Sequence, residues 1–315
     1  MKRLLPLALI FILLLSACTT NTGTPSPAPA SPTAAITESP APSTAPARPE
    51  LPPDFPRIDG STATIPLAEA IYAIKLGIAR EEAAEMVLFN GTTTSYEQLF
   101  YGAADLVIAY EPTAGTLDKY AEQGVPLEVT AIGRDALVFL LNVQNPVNEV
   151  SADELREIYA ADGTIKSWSD LGGGDTDIVP YQRNYDSGSQ VMMQKLVMGD
   201  RPIAEPPTFQ VVSEMGMLID VIADYDNGAS SIGYNVYYFV SRMNPNPNIK
   251  LLSIDNVIPS NETIASGEYP FVNDFYVAIR ADEPTGSPAR ELYDWLIGDE
   301  GRELLRDEGY VAINN

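Results

Sequence analysis

Histidine is absent from this 315-residue chain, cysteine occurs once and tryptophan twice. Without histidine there is no Ser-His-Asp or Cys-His centre and no histidine-ligated zinc, which removes the commonest hydrolase designs. A single cysteine, Cys18, excludes an intramolecular disulfide. Basic residues are scarce as well: 19 Lys and Arg stand against 43 Asp and Glu, a formal net charge of -24. Nucleic acid is therefore not an expected partner, because its phosphates would be repelled over most of the surface. Lysine nucleophiles remain open in principle, but no Ser-x-x-Lys motif occurs. The chain is expected not to be an enzyme, and to need no metal or cofactor.

What is present begins with an address. Lys2 and Arg3 precede an apolar run from Leu4 to Leu15, followed directly by Ser16, Ala17 and Cys18. That run is short for a membrane span and ends in small residues, so residues 1–18 read as a secretion signal. Leu15-Ser16-Ala17-Cys18 resembles the lipobox of bacterial lipoproteins, which implies a lipid anchor on Cys18 at the cell membrane; an ordinary signal peptide is the alternative. Residues 19–55 are mostly Thr, Pro, Ser and Ala, too poor in apolar surface to offset chain entropy, and are expected to form an extended tether.

Residues 56–315 alternate helical and strand patterns, which predicts an α/β fold. Helices are expected after Pro66, over 83–86, around 96–101, from Ser151 (with Glu154 completing a capping box), over 187–197, 215–225 and 288–297, and near Leu304. Strands are expected ending near Asn90, at 106–109, 136–142, 178–181 and 229–234. Tyr234, Tyr237, Tyr238 and Phe239 read as packing rather than cleft lining, and Trp168 and Trp295 as core.

Three loops carry the chemistry. Ser61, Thr62 and Thr64 cluster in Asp59-Gly-Ser-Thr-Ala-Thr-Ile-Pro66, where a helix starts. Helix starts expose unpaired N–H groups and the positive end of the macrodipole, and hydroxyls beside them add donors without charge. Simple capping by Ser61 or Thr64 is the competing reading for either residue alone. Thr92 and Thr93 lie in a second hydroxyl-rich loop, Gly91-Thr-Thr-Thr-Ser-Tyr96. The third, Gln182-Arg-Asn-Tyr-Asp-Ser-Gly-Ser-Gln190, follows a strand and precedes a helix. Its Arg183 offers a planar fork for an oxyanion, and Ser187, Gly188 and Ser189 add hydroxyls and approachable backbone. Three such junctions suit an open α/β crevice that binds a small anion.

With these motifs, and with Gly102-Ala-Ala-Asp-Leu106, Asn145-Pro-Val147, Ile232-Gly-Tyr234 and Glu308-Gly-Tyr-Val311 in the same order, the chain resembles the phosphate-binding proteins of bacterial ABC transporters, within the type II periplasmic-binding-protein fold. The resemblance implies a two-lobed protein with the ligand cleft between lobes: 56–135 plus 270–315 as one lobe and 136–269 as the other. It implies a monomer that hands inorganic phosphate to a membrane permease. Thr64 and the N–H of Ile65 would touch the ligand, with Ser61 and Thr62 nearby, Thr92 with Thr93 beside it, and Arg183, Ser187, Gly188 and Ser189. Where the family has carboxylates, this chain has Tyr110, next to Glu111, and Tyr185, next to Asp186. A tyrosine hydroxyl both donates and accepts, so Tyr110 is expected to read a protonated oxyanion. Another solute or a sensory role on the same fold is the alternative; a hydrolase has only loose serines near Arg183 behind it.

Overall fold

The structure, a computed structural model, describes residues 50–224 and 228–313. The expected signal, Cys18, the tether up to residue 49 and Tyr225 lie outside the described residues. Strand β1 (Ile58–Gly60) turns through one 3-10 turn, Thr62–Thr64, into α1 (Ile65–Leu76). Next come α2 (Arg80–Met86), α3 (Thr92–Phe100), β2 (Leu106–Ala109), α4 (Thr116–Glu122) and the long β3 (Leu127–Asn142). They are followed by β4 (Glu149–Val150), α5 (Ala152–Tyr159), β5 (Val179–Pro180), β6 (Gln182–Arg183) and α6 (Gly188–Met192), which continues as a π-helical stretch, Met193–Met198. The described chain ends with β7 (Val211–Val212), α7 (Met215–Ala223), β8 (Ser231–Val236), β9 (Ile249–Leu251), β10 (Ser253–Ile254), α8 (Asn261–Ser266), β11 (Val272–Arg280), α9 (Pro288–Ile297), α10 (Asp299–Asp307) and β12 (Val311–Ala312).

The main sheet runs β1-β2-β11-β3-β8-β5, with β12 and β9 also pairing β3. Its spine is β3, whose first part pairs β11 as far as Ala136 opposite Val272, and whose second part pairs β8 from Leu137 opposite Val236. The strand therefore changes partners within one residue. Pairs β1/β2, β5/β8 and β6/β7 are parallel; because β2 runs with β3 and β8 runs against it, the carboxyl ends of β2 and β8 face each other where β3 exchanges partners, and the loops leaving them meet there. The runs Leu106–Ala109 and Ala136–Asn142 are buried throughout, as strands covered on both faces must be.

Local signals placed most helices. Ser151 Oγ accepts from the Glu154 N–H while the Glu154 carboxylate accepts from the Ser151 N–H, the expected capping box; its loss costs about 1 kcal/mol. Pro288 begins α9 behind Ser287, whose Oγ accepts from the Arg290 N–H at 3.1 Å.

Other expectations were displaced. No strand ends near Asn90; residues 87–90 are irregular, and their end is held by Asp59, whose Oδ1 accepts from the Asn90 N–H at 2.8 Å. The expected strand at 178–181 is split, because the chain leaves β8 after Pro180 and joins β7 at Gln182. Leu51 and Phe55, at the end of the expected tether, pack on the core, Phe55 edge-on to Tyr72 at 5.3 Å between ring centroids. Trp168 is fully buried with Nε1 donating to Ser230 O at 2.9 Å. Trp295 is only half-buried, under the Lys75 ammonium at 3.7 Å from the ring centroid.

Candidate functional site

A cavity of about 260 Å³ opens at the carboxyl ends of β1, β2, β6, β7 and β8. That is where an α/β sheet collects its loops and where ligands bind such folds. Ser61 and Thr62 follow β1, Tyr110 follows β2, Arg183 to Ser189 run from β6 into α6, Ser213 to Met215 join β7 to α7, and Val236 ends β8. Asn90, Gly91, Thr92 and Thr94 complete the wall from the start of α3.

The first two loops are tied directly to each other. Asp59 is buried, and its carboxylate accepts from the Gly60 N–H at 2.7 Å and from Asn90 Nδ2 at 2.6 Å. Gly91 adopts φ 88, where a side chain would be strained, and its N–H donates to Gly60 O at 3.1 Å. Ser61 Oγ and Thr92 Oγ1 then meet at 2.7 Å, and Ser61 Oγ also accepts from the Tyr110 N–H at 3.2 Å.

Arg183 is the cation of the site. It is buried; Nε donates to Val212 O at 2.9 Å and Nη2 to Ser213 O at 2.8 Å. Its N–H is held by Gln190 Oε1 at 3.2 Å. Nη1 has no partner, and among the described residues no carboxylate lies within ion-pairing distance of the guanidinium. Burial pushes its pKa below the usual arginine value. Ser189 Oγ and Asn184 Oδ1 are likewise buried and unpartnered. Unmade bonds of this kind cost free energy and are rare; three of them on one cavity describe a site built for a polar guest. The N–H groups of Gly188 and Ser189, first in α6, have no acceptor within that helix.

Of the expected ligand residues, Ser61, Thr62, Thr92, Tyr110, Arg183, Ser187, Gly188 and Ser189 are brought together on this wall. Thr64 is not: its hydroxyl is spent on two carbonyls, Ser61 O at 2.9 Å and Ile108 O at 2.6 Å. The N–H of Ile65 is spent on Thr62 O. Thr93 faces away, its Oγ1 accepting from the Thr113 N–H at 3.4 Å, and Thr94 lines the cavity in its place. Tyr110 contributes its ring but turns its hydroxyl onto Asp135 Oδ2 at 2.7 Å. Glu111 pairs with Lys195 Nζ at 2.5 Å and accepts from the Tyr276 hydroxyl at 3.1 Å, off the cavity. Tyr185 is 81% exposed. The carboxylates on the wall are Asp186, bonded to Asn184 Nδ2, and Glu214. Sequence reading missed Asn90, Thr94, Asn184, Ser213, Glu214, Met215, Phe89 and Val236. The segment 211–215 is one more strand-to-helix junction, but a two-residue strand leaves no alternation to detect.

Asp135 sits behind Tyr110 where β3 changes partners. Its Oδ1 accepts from the Ala136 N–H at 2.8 Å and the Tyr238 N–H at 3.1 Å, and among the described residues no cation pairs with it. Burial dominates these bonds and raises its pKa to about 6. The folded chain thus holds this proton over a range where the unfolded chain has lost it, so this contribution to stability is full below about pH 4 and is lost as pH rises through about 6. The expected size is roughly 3 kcal/mol at most. Urea melts of wild type and Asp135→Asn between pH 4 and 8 check it: the Asn variant should lack this fall, and parallel profiles would refute the assignment.

A family model described as a PBP superfamily domain matches residues 39–300. The chain belongs to that superfamily. Among curated relatives, the phosphate-binding protein PstS of Bacillus subtilis is 28% identical over 264 residues, covering 82% of this chain and 80% of the relative. Among solved structures, the substrate-binding protein of a putative phosphate ABC transporter from Clostridium perfringens, with bound phosphate, superposes with a TM-score of 0.63 at 19% identity, covering 82% of this chain and 100% of that one. An ABC-type phosphate transport receptor from Vibrio cholerae gives 0.60 at 20% identity, covering 81% and 98%. These structures share the fold, a mixed α/β architecture around a central sheet.

Proposed function

We propose that this chain is the extracytoplasmic substrate-binding protein of an ABC importer, capturing inorganic phosphate and delivering it to a membrane permease without catalysis. The observation that carries this reading is the unpaired, buried guanidinium of Arg183 beside the unpartnered Ser189 hydroxyl. A buried cation without a counter-ion is costly, and a bound oxyanion supplies the missing charge and acceptors. Ser61, Thr62, Thr92, Ser187 and Gly188 surround it with neutral donors, and the relatives' names point to the same ligand.

Two lobes, 56–135 plus 270–315 and 136–269, close over the ion as a monomer, bending where β3 exchanges β11 for β8. The signal and Leu15-Ser16-Ala17-Cys18 support export and a lipid anchor at Cys18, with the Pro-rich segment as tether. An acidic surface does not oppose capture, since screened distant charge is outweighed by donors at contact. Asp186 replaces the displaced Tyr110 hydroxyl as acceptor of the ion's own proton.

Titration calorimetry tests both parts. Phosphate should bind and sulfate should bind at least 100-fold more weakly; Asp186→Asn should narrow that gap by tenfold or more. No heat with phosphate sinks the function, whereas an unchanged phosphate-to-sulfate ratio in the variant removes Asp186 from the role.

A further inference from the structure

The geometry points to a ligand larger than inorganic phosphate that the same cavity also accepts: a phosphoryl group carrying one small substituent with a hydrogen-bond donor, a phosphomonoester or phosphonate. This rests on the phosphate-binding reading above and extends it.

Volume is the first observation. A tetrahedral ion of five heavy atoms displaces on the order of two waters, roughly 60 Å³, against a cavity of about 260 Å³. Closure has little left to remove at the deep end, because a Cβ built on Gly188 would already stand 2.5 Å from Thr92 Oγ1 and 3.2 Å from the Tyr110 ring. Most of the space is therefore not needed by the ion.

The second observation is how the wall is graded. Arg183 and Ser189, with the unpartnered donors, are buried, while Glu214 is exposed at the mouth. On the same wall Phe89 and Met215 present carbon, which offers a bare oxyanion nothing. Hydrogen phosphate carries one proton, for which Asp186 is the acceptor in the reading above; Glu214, also on the wall, has no donor among the described residues. A phosphoryl head at Arg183, with a short carbon substituent along Phe89 and Met215 and a hydroxyl or ammonium at Glu214, uses every one of these groups.

Titration of the purified protein with inorganic phosphate, 2-aminoethylphosphonate and glycerol 3-phosphate decides it. At least one substituted compound is expected to bind within 30-fold of phosphate, and Glu214→Gln should lower its affinity relative to phosphate by fivefold or more. Phosphate binding with both substituted compounds more than 30-fold weaker overturns the inference and leaves the phosphate reading standing. Binding of none of the three overturns both. An unchanged ratio in Glu214→Gln overturns the placement of the substituent.

Discussion

Arg183→Gln is expected to weaken phosphate binding by about 30-fold or more while leaving the far-UV circular dichroism unchanged. Truncating one member of a buried charged contact costs roughly 2–5 kcal/mol, and each ~1.4 kcal/mol is tenfold in Kd. Arg183 has two jobs that separate cleanly. Nε and Nη2 bind Val212 O and Ser213 O and so fix the loop after β7, while Nη1 alone is free for the ligand. Arg183→Lys keeps the charge but not the fork, and should recover only part of the loss. A second readout is thermal. The buried guanidinium has no carboxylate within ion-pairing distance among the described residues, so saturating phosphate should raise the melting temperature of wild type by several degrees through mass action and barely move the Gln variant. Phosphate affinity within threefold of wild type in Arg183→Gln would mean that the anion sits elsewhere.

Gly188→Ala is the second large effect. The added Cβ would lie 2.5 Å from Thr92 Oγ1, a distance that real side chains do not tolerate, with the Tyr110 ring at 3.2 Å behind it. Thr92 has little freedom to give way, since it starts α3 and its hydroxyl is bonded to Ser61 Oγ. The proposed lobes, which would meet through these two residues on closing, would be propped apart by one methyl group. Phosphate affinity should fall ten- to 100-fold, in line with overpacking costs of roughly 1–3 kcal/mol. Small-angle scattering should show wild type compacting on phosphate and Gly188→Ala failing to do so. Adding Thr92→Ala should restore compaction, because it removes the atom in the way. Compaction of Gly188→Ala equal to wild type would show that the loops do not meet in the bound state.

Much of this was legible in residue order because it is local. Hydroxyls and glycines between a strand and a helix declare a helix start, a cap is one side chain acting on a backbone group a few residues away, and Leu106–Ala109 announces a buried strand by composition alone. Strand β11 escaped notice for an equally physical reason: Asn273 occupies a buried position in its alternation, so the period-2 pattern is broken by a polar side chain. The first half of β3 carries Thr130, Arg134 and Asp135, which hide a strand whose pairing is decided by β11, about 140 residues away.

The sequence by itself determined the α/β class, the absence of histidine chemistry and the three hydroxylated loops, since each depends on composition or on neighbours a few residues apart. Tertiary structure alone decided which groups face the cavity. Whether Thr64 meets a ligand or Ile108 O, whether the Tyr110 hydroxyl turns inward or onto Asp135, and whether Glu214 joins the wall are questions of where distant strands end. A hydroxyl bonds whichever partner packing brings within about 3 Å, and that partner is set by sheet order, which no local pattern encodes.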